Sequence, residues 1–186
     1  MNNTNITTIE NSCFDTCANL ASAITIPSSV TTLGFLAFYA CSSIPSVTFE
    51  NGSTLTSIPE GFFGGCANLT SVNGIPNTVT TIDRIVFQDC AFGNIILPTG
   101  LLTIGELAFD GCTSLTSITI PEGVTTIGVN AFHNNLLLST INLPSSLTTI
   151  DESAFYYIGT DLSVTGIIFN VNDQTQMTNA SLISSS

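Results

Sequence analysis

Apolar positions in this chain recur on two scales. At short range they alternate with polar ones. In Leu115 to Pro121, the residues Leu115, Ile118 and Ile120 fall on one side and Thr119 on the other, as in a short strand with one buried face. At long range the whole pattern returns. Phe14, Phe38, Phe63, Phe87, Phe109, Phe132 and Phe155 are separated by 24, 25, 24, 22, 23 and 23 residues. Eight residues before them stand the aliphatics Ile6, Val30, Leu55, Val79, Leu101, Val124 and Leu147, and five before them Ile9, Leu33, Ile58, Ile82, Ile104, Ile127 and Ile150. One before is small or apolar, and three after come Cys17, Cys41, Cys66, Cys90 and Cys112, then Asn135 and Ile158. A period in the twenties predicts one small unit repeated and stacked, not a globule around one cleft.

Each unit predicts its own elements. The Pro after the strand cannot donate to a ladder, so it closes the strand and opens a turn. Val124 and Ile127 bracket Thr125 and Thr126, β-favouring residues for a second short extended piece. Gly128, with Gly34 and Gly105 in other copies, allows a sharp turn. Ala131, Phe132 and the Cys position have the spacing of one helical turn with its apolar side inward. No coil buries its own interior, so stability comes from its neighbours. The expected fold is a solenoid of parallel β coils with short helical corners, about seven repeats of 22–25 residues over 1–169, followed by a polar tail at 170–186. At the spacing of stacked strands such an array is on the order of 35 Å long.

The pattern Ile-Pro-x-x-Val-Thr-Thr-Ile-Gly-x-x-Ala-Phe-x-x-Cys-x-x-Leu-x-Ser-Ile resembles the BspA-like (Treponema pallidum-type) leucine-rich repeat, over about residues 5–169. The resemblance implies a leucine-rich-repeat solenoid with a role in surface adhesion or protein binding, and no catalytic residues. Three departures stand out. Pro59 replaces the Gly in the third coil, Cys90-Ala91-Phe92 shortens the fourth, and the last coil lacks the Cys.

Composition narrows the function. One Lys or Arg against 13 acids gives a formal charge of −12, which leaves nothing to neutralise nucleic-acid phosphates or attract anionic lipid. The first residues show neither the basic nor the apolar region of a signal peptide, and no apolar run reaches the roughly 20 residues of a membrane span. Expected locations are a cell surface, a virion or another extracellular assembly, reached as part of something larger or by a route other than a leader.

Chemistry-bearing residues are sparse. The recurring cysteines lack both loop-type disulfide spacing and a close zinc pair, so they read as free thiols packed as small hydrophobes. His133 is the single histidine and reads as a surface residue. Arg84 is expected to pair with Asp83 or with a carboxylate on the next coil. Glu106, Glu122, Glu152, Asp83 and Asp151 fall at turn positions. The chain lacks a Lys for a Schiff base, a phosphate loop and EF-hand spacing. We therefore expect no enzyme activity, cofactor or metal.

What remains is binding. The outward strand positions Thr25, Thr48, Asn73, Thr119 and Asn142 form the candidate site, with a protein or a surface glycan as partner. The alternative is a structural component of a virion or other assembly, self-associating or docking through the N-terminal edge, because solenoid ends normally need polar caps.

Overall fold

The computed structural model describes residues 6–160 and a strand at 168–171. Of the polar tail expected at 170–186, Asn170 and Val171 belong to that strand, and residues 172–186 lie outside the described residues. The chain winds as a stack of small coils, most of them with two strand pieces. One set of strands is β2 (Ile24–Ile26), β4 (Ser46–Phe49), β6 (Ser71–Asn73), β9 (Ser117–Thr119), β11 (Thr140–Leu143) and β13 (Ile168–Val171). The other set has two residues per coil: β1 (Thr8–Ile9), β3 (Thr32–Leu33), β5 (Ser57–Ile58), β7 (Thr81–Ile82), β8 (Thr103–Ile104), β10 (Thr126–Ile127) and β12 (Thr149–Ile150). All pairing is parallel and in register from coil to coil. Ile58, Ile82, Ile104, Ile127 and Ile150 form one continuous line.

The column of phenylalanines forms the spine. Phe14 stacks on Phe38 at 4.9 Å, and the series continues at 5.8, 6.0, 5.4, 5.1 and 5.3 Å to Phe155. Nearly parallel rings at this spacing pack a large apolar area and add stacking energy. In the shortened fourth coil, Phe92 takes the place that Leu69 and Leu115 hold in the neighbouring coils. It is fully buried and lies edge-on to Phe87 and Phe109. A larger side chain thus fills the space left by a missing residue, and the stack continues unbroken.

The corners differ from the expected helical turn. Residues two before and two after each column Phe adopt left-handed backbone, as in Leu36, Ala40, Leu107 and Gly111. The reason lies in the neighbouring coil. The N–H groups of Leu107, Phe109 and Gly111 donate to the carbonyls of Val129, Ala131 and His133 at 3.0, 2.8 and 3.0 Å. Between them, Asp110 and Cys112 donate three residues back, to Leu107 and Phe109. An α-helix would direct every N–H four residues back within its own turn, leaving none for the next coil. The inter-coil ladder satisfies those buried groups, against a cost of about 1–2 kcal/mol for each non-glycine residue held left-handed. Gly105 and Gly128 serve close approach and not a left-handed turn. A Cβ on either would sit 2.7 or 2.9 Å from backbone of the preceding coil.

The cysteine column has a second role beyond packing. The thiols of Cys41, Cys66, Cys90 and Cys112 donate to the carbonyls of Phe14, Phe38, Phe63 and Phe87 in the coil before. All are free and buried, whereas Cys13 and Cys17 on the first coil are free and exposed. Burial pushes the Cys66 thiol up to about 12, and drives Cys90 and Cys112 well above their ordinary value for the same reason.

Candidate binding face

Strand alternation sends one residue of each longer strand outward, and parallel register stacks these residues in rows. Thr25 lies beside Thr48, and Thr48 beside Asn73. Further along, Thr119 lies beside Asn142. The five expected site residues therefore fall into two groups, one on the sheet β2-β4-β6 and one on β9-β11-β13. Small polar contacts hold them: Asn73 Nδ2 donates to Ser71 Oγ and Asn142 Nδ2 to Thr119 Oγ1, each at 2.9 Å. A flanking row of half-buried Ser46, Ser71, Ser117 and Thr140 runs alongside.

Between the groups lies a residue the sequence reading did not select. In the fourth coil the segment 93–97 forms no strand, yet Ile95 and Leu97 are buried while Ile96 points out with 81% of its surface exposed. Its position matches that of Thr119, the outward residue before the strand-closing Pro. The signal was present as three consecutive apolar residues, Ile95-Ile96-Leu97, where other coils alternate. The face is thus a row of hydroxyls and amides with one large aliphatic knob in its middle.

The corner edge carries most of the charge. Arg84 sits between Glu60 at 2.9 Å on the preceding coil and Glu106 at 3.6 Å on the next. The hydrogen bond that Arg84 donates to the Glu60 carboxylate raises the guanidinium above its ordinary value. Asp83 plays a different part from the one expected, with its carboxylate accepting the Arg84 backbone N–H at 2.7 Å. A neighbouring cluster was also unforeseen. His133 Nδ1 lies 2.8 Å from Asp110 Oδ1, and Gln88 Nε2 donates to Asp110 Oδ2 at 3.0 Å. The imidazole stacks on Tyr156 and meets Tyr157, which is 53% exposed, edge-on. Burial and then the nearby Asp110 charge raise the Asp89 carboxyl. Gln88, Asp110 and His133 each directly follow a column Phe, so the repeat itself brings them together. Among the described residues no group of three His, Cys, Asp or Glu side chains is arranged to hold a metal ion, and no helix is long and apolar enough to cross a membrane.

Comparison with known families matches the chain to the BspA type leucine rich repeat region, in six copies spanning residues 2–90 and 50–161. Among solved structures it is similar to a leucine-rich repeat protein from Bacteroides ovatus, with 26% identity and a TM-score of 0.65, over 83% of this chain and 45% of that one. It is also similar to the T. pallidum leucine rich repeat protein, with 26% identity and a TM-score of 0.62, over 69% and 68% of the two chains. The chain spans less than half the length of the first of these. No curated protein matches its sequence.

Proposed function

The chain belongs to the BspA-type leucine-rich repeat family, and from that premise we propose that it is a non-enzymatic, surface-associated binding module that docks a protein on its outward strand face. The observation that carries this reading is Ile96, 81% exposed between two rows of Thr and Asn. An aliphatic anchor ringed by small polar groups is the composition of a protein-docking centre. A glycan would find little stacking surface there, because the exposed aromatics Phe14, Phe35 and Tyr157 fall in the corner turns instead. The formal charge of −12 favours a basic partner through long-range attraction.

The test is selection of displayed peptides on the folded chain, followed by affinity measurement against Ile96→Asp and Thr119→Arg. Selected peptides should lose at least about tenfold in affinity, roughly 1.4 kcal/mol, while the unfolding midpoints stay put. Binders indifferent to both substitutions but sensitive to Tyr157→Ala would sink the strand-face reading. Selective capture of oligosaccharides would replace the protein by a glycan.

A second reading is favoured by one feature of the first coil. Phe14 is 43% and Ile6 40% exposed, although their counterparts in later coils are buried. In later coils the carbonyls at the positions of Asn11 and Cys13 accept from the coil before, as Phe35 and Ala37 do from Ser12 and Phe14. Among the described residues, none donates to the backbone carbonyls of Asn11 or Cys13, while the Asn11 side-chain oxygen accepts the Phe35 N–H at 3.0 Å. This end therefore offers an apolar ring and backbone acceptors to an assembly partner. Light scattering across a concentration series decides it: association lost in Phe14→Glu supports docking, and a monomer at every concentration removes it.

A further inference from the structure

The chain contains the dipeptide Asn-Gly twice, at Asn51-Gly52 and Asn73-Gly74, and the fold treats the two differently. Asn51 and Gly52 follow strand β4 as an exposed turn, closed by the Ser53 N–H on the Glu50 carbonyl at 3.3 Å. Gly52 has a φ of +87° and open space where a Cβ would be. Among the described residues its N–H finds no acceptor. One coil later, Asn73 belongs to strand β6, paired beside Thr48, and its side-chain amide donates to Ser71 Oγ at 2.9 Å. Gly74 is pressed against the preceding coil, where an added Cβ would lie 2.6 Å from the Phe49 carbonyl.

We propose that Asn51 is a site of spontaneous, self-catalysed deamidation, and that the sheet protects Asn73 from the same reaction. The Gly52 nitrogen loses its proton to base and attacks Cγ of Asn51. The Cγ–Nδ2 bond breaks, ammonia leaves, and a five-membered succinimide forms. Water opens this ring at either carbonyl to give aspartate or isoaspartate; no oxidant, reductant or enzyme takes part. Ring closure needs a side chain and backbone free to reach each other. Asn51 has that freedom, whereas strand pairing and the Ser71 contact hold the Asn73 amide away from Gly74. Misplaced reacting groups slow such a closure by roughly ten- to a hundredfold.

The product matters because of its position. The turn directly follows β4, whose Thr48 lies on the outward face. Glu50, at its start, accepts from the Ser28 N–H at 3.0 Å. A new carboxylate beside Glu50 adds a negative charge at the rim of that face, and isoaspartate lengthens the turn by one backbone carbon.

Peptide mapping by mass spectrometry of the folded chain, aged in mildly alkaline buffer, tests the assignment. The Asn51 peptide should gain one dalton at least about tenfold faster than the Asn73 peptide, and the two rates should converge in the urea-unfolded chain. An Asn51 that stays intact when folded but converts when unfolded overturns the proposal, as does an Asn73 that keeps pace in the folded chain. In Asn51→Gln the acidic species seen on ion exchange should disappear; its persistence places the event elsewhere and also overturns the assignment.

Discussion

The side-chain amide of Asn135 donates to the Phe109 carbonyl at 2.9 Å, the bond that Cys112 makes to Phe87 one coil earlier at 3.1 Å. Asn135 stands where five coils carry Cys, so an apparent break in the sequence pattern preserves a donor. The replacement is imperfect, because Asn135 Oδ1 is buried with no partner. Asn135→Cys should therefore be neutral or stabilising. Asn135→Ala leaves the Phe109 and Phe132 carbonyls without this donor and should cost about 1–3 kcal/mol. Chemical-denaturation midpoints of both variants check the order, and equal losses would mean the column needs only an apolar filler.

Phe109 and Phe92 are both fully buried, yet they should respond differently to truncation. Phe109 is sandwiched between Phe87 and Phe132 in the column, so Phe109→Ala should cost about 3–5 kcal/mol. Phe92 stands where the neighbouring coils carry Leu. Phe92→Leu keeps the apolar character but empties part of the space the ring fills, and should cost less than Phe109→Ala because fewer atoms are removed. The partly exposed Phe14 should tolerate Ala better than Phe109 does. Unfolding midpoints that rank these three otherwise would contradict the column as the source of stability.

The stack was legible because column residues repeat at nearly constant spacing, and Phe, Ile and Cys keep the same job through the central coils. The corners were not. Ala131, Phe132 and Asn135 have helical spacing, but the alternating ladder that replaces the helix is imposed by the adjacent coil, and local spacing carries no trace of it. Arg84 shows the same limit. A carboxylate on the next coil was foreseen, while the closer Glu60 lies on the coil before. Asp110 and His133 stand far apart in the chain and touch only because both directly follow a column Phe. Comparing columns, and not neighbours in sequence, would have found that pair. The outward row was legible from strand alternation, but Ile96 was hidden because its coil forms no strand and its apolar character suggested burial.

Arg84 links three coils through Glu60 and Glu106, and all three side chains are close to half exposed. Water and salt screen such pairs, so Arg84→Gln should cost no more than about 1 kcal/mol. The loss should shrink as ionic strength rises, because the Debye length falls to about 3 Å at 1 M salt. Denaturation midpoints at low and high salt provide the measurement. A large, salt-independent loss would show that the aliphatic stem of Arg84 matters more than its charge.

Buried thiols should make the fold sensitive to alkali. In the unfolded chain a thiol releases its proton near 9.0, whereas native Cys66 holds it up to about 12. Between those values the native state binds more protons than the unfolded one, so stability falls as pH rises. The contribution is constant below the unfolded value and is lost progressively above it, at about 1.4 kcal/mol per pH unit for each such thiol. Cys90 and Cys112 are raised in the same direction by burial, so the slopes add across the column. Cys66→Ala loses the bond to the Phe38 carbonyl and should start from a lower stability at neutral pH. Its decline above pH 9 should nevertheless be shallower than that of the parent chain. Urea unfolding between neutral pH and pH 11 measures both slopes. Parallel slopes in the two proteins would mean that the Cys66 thiol ionises as easily in the fold as outside it.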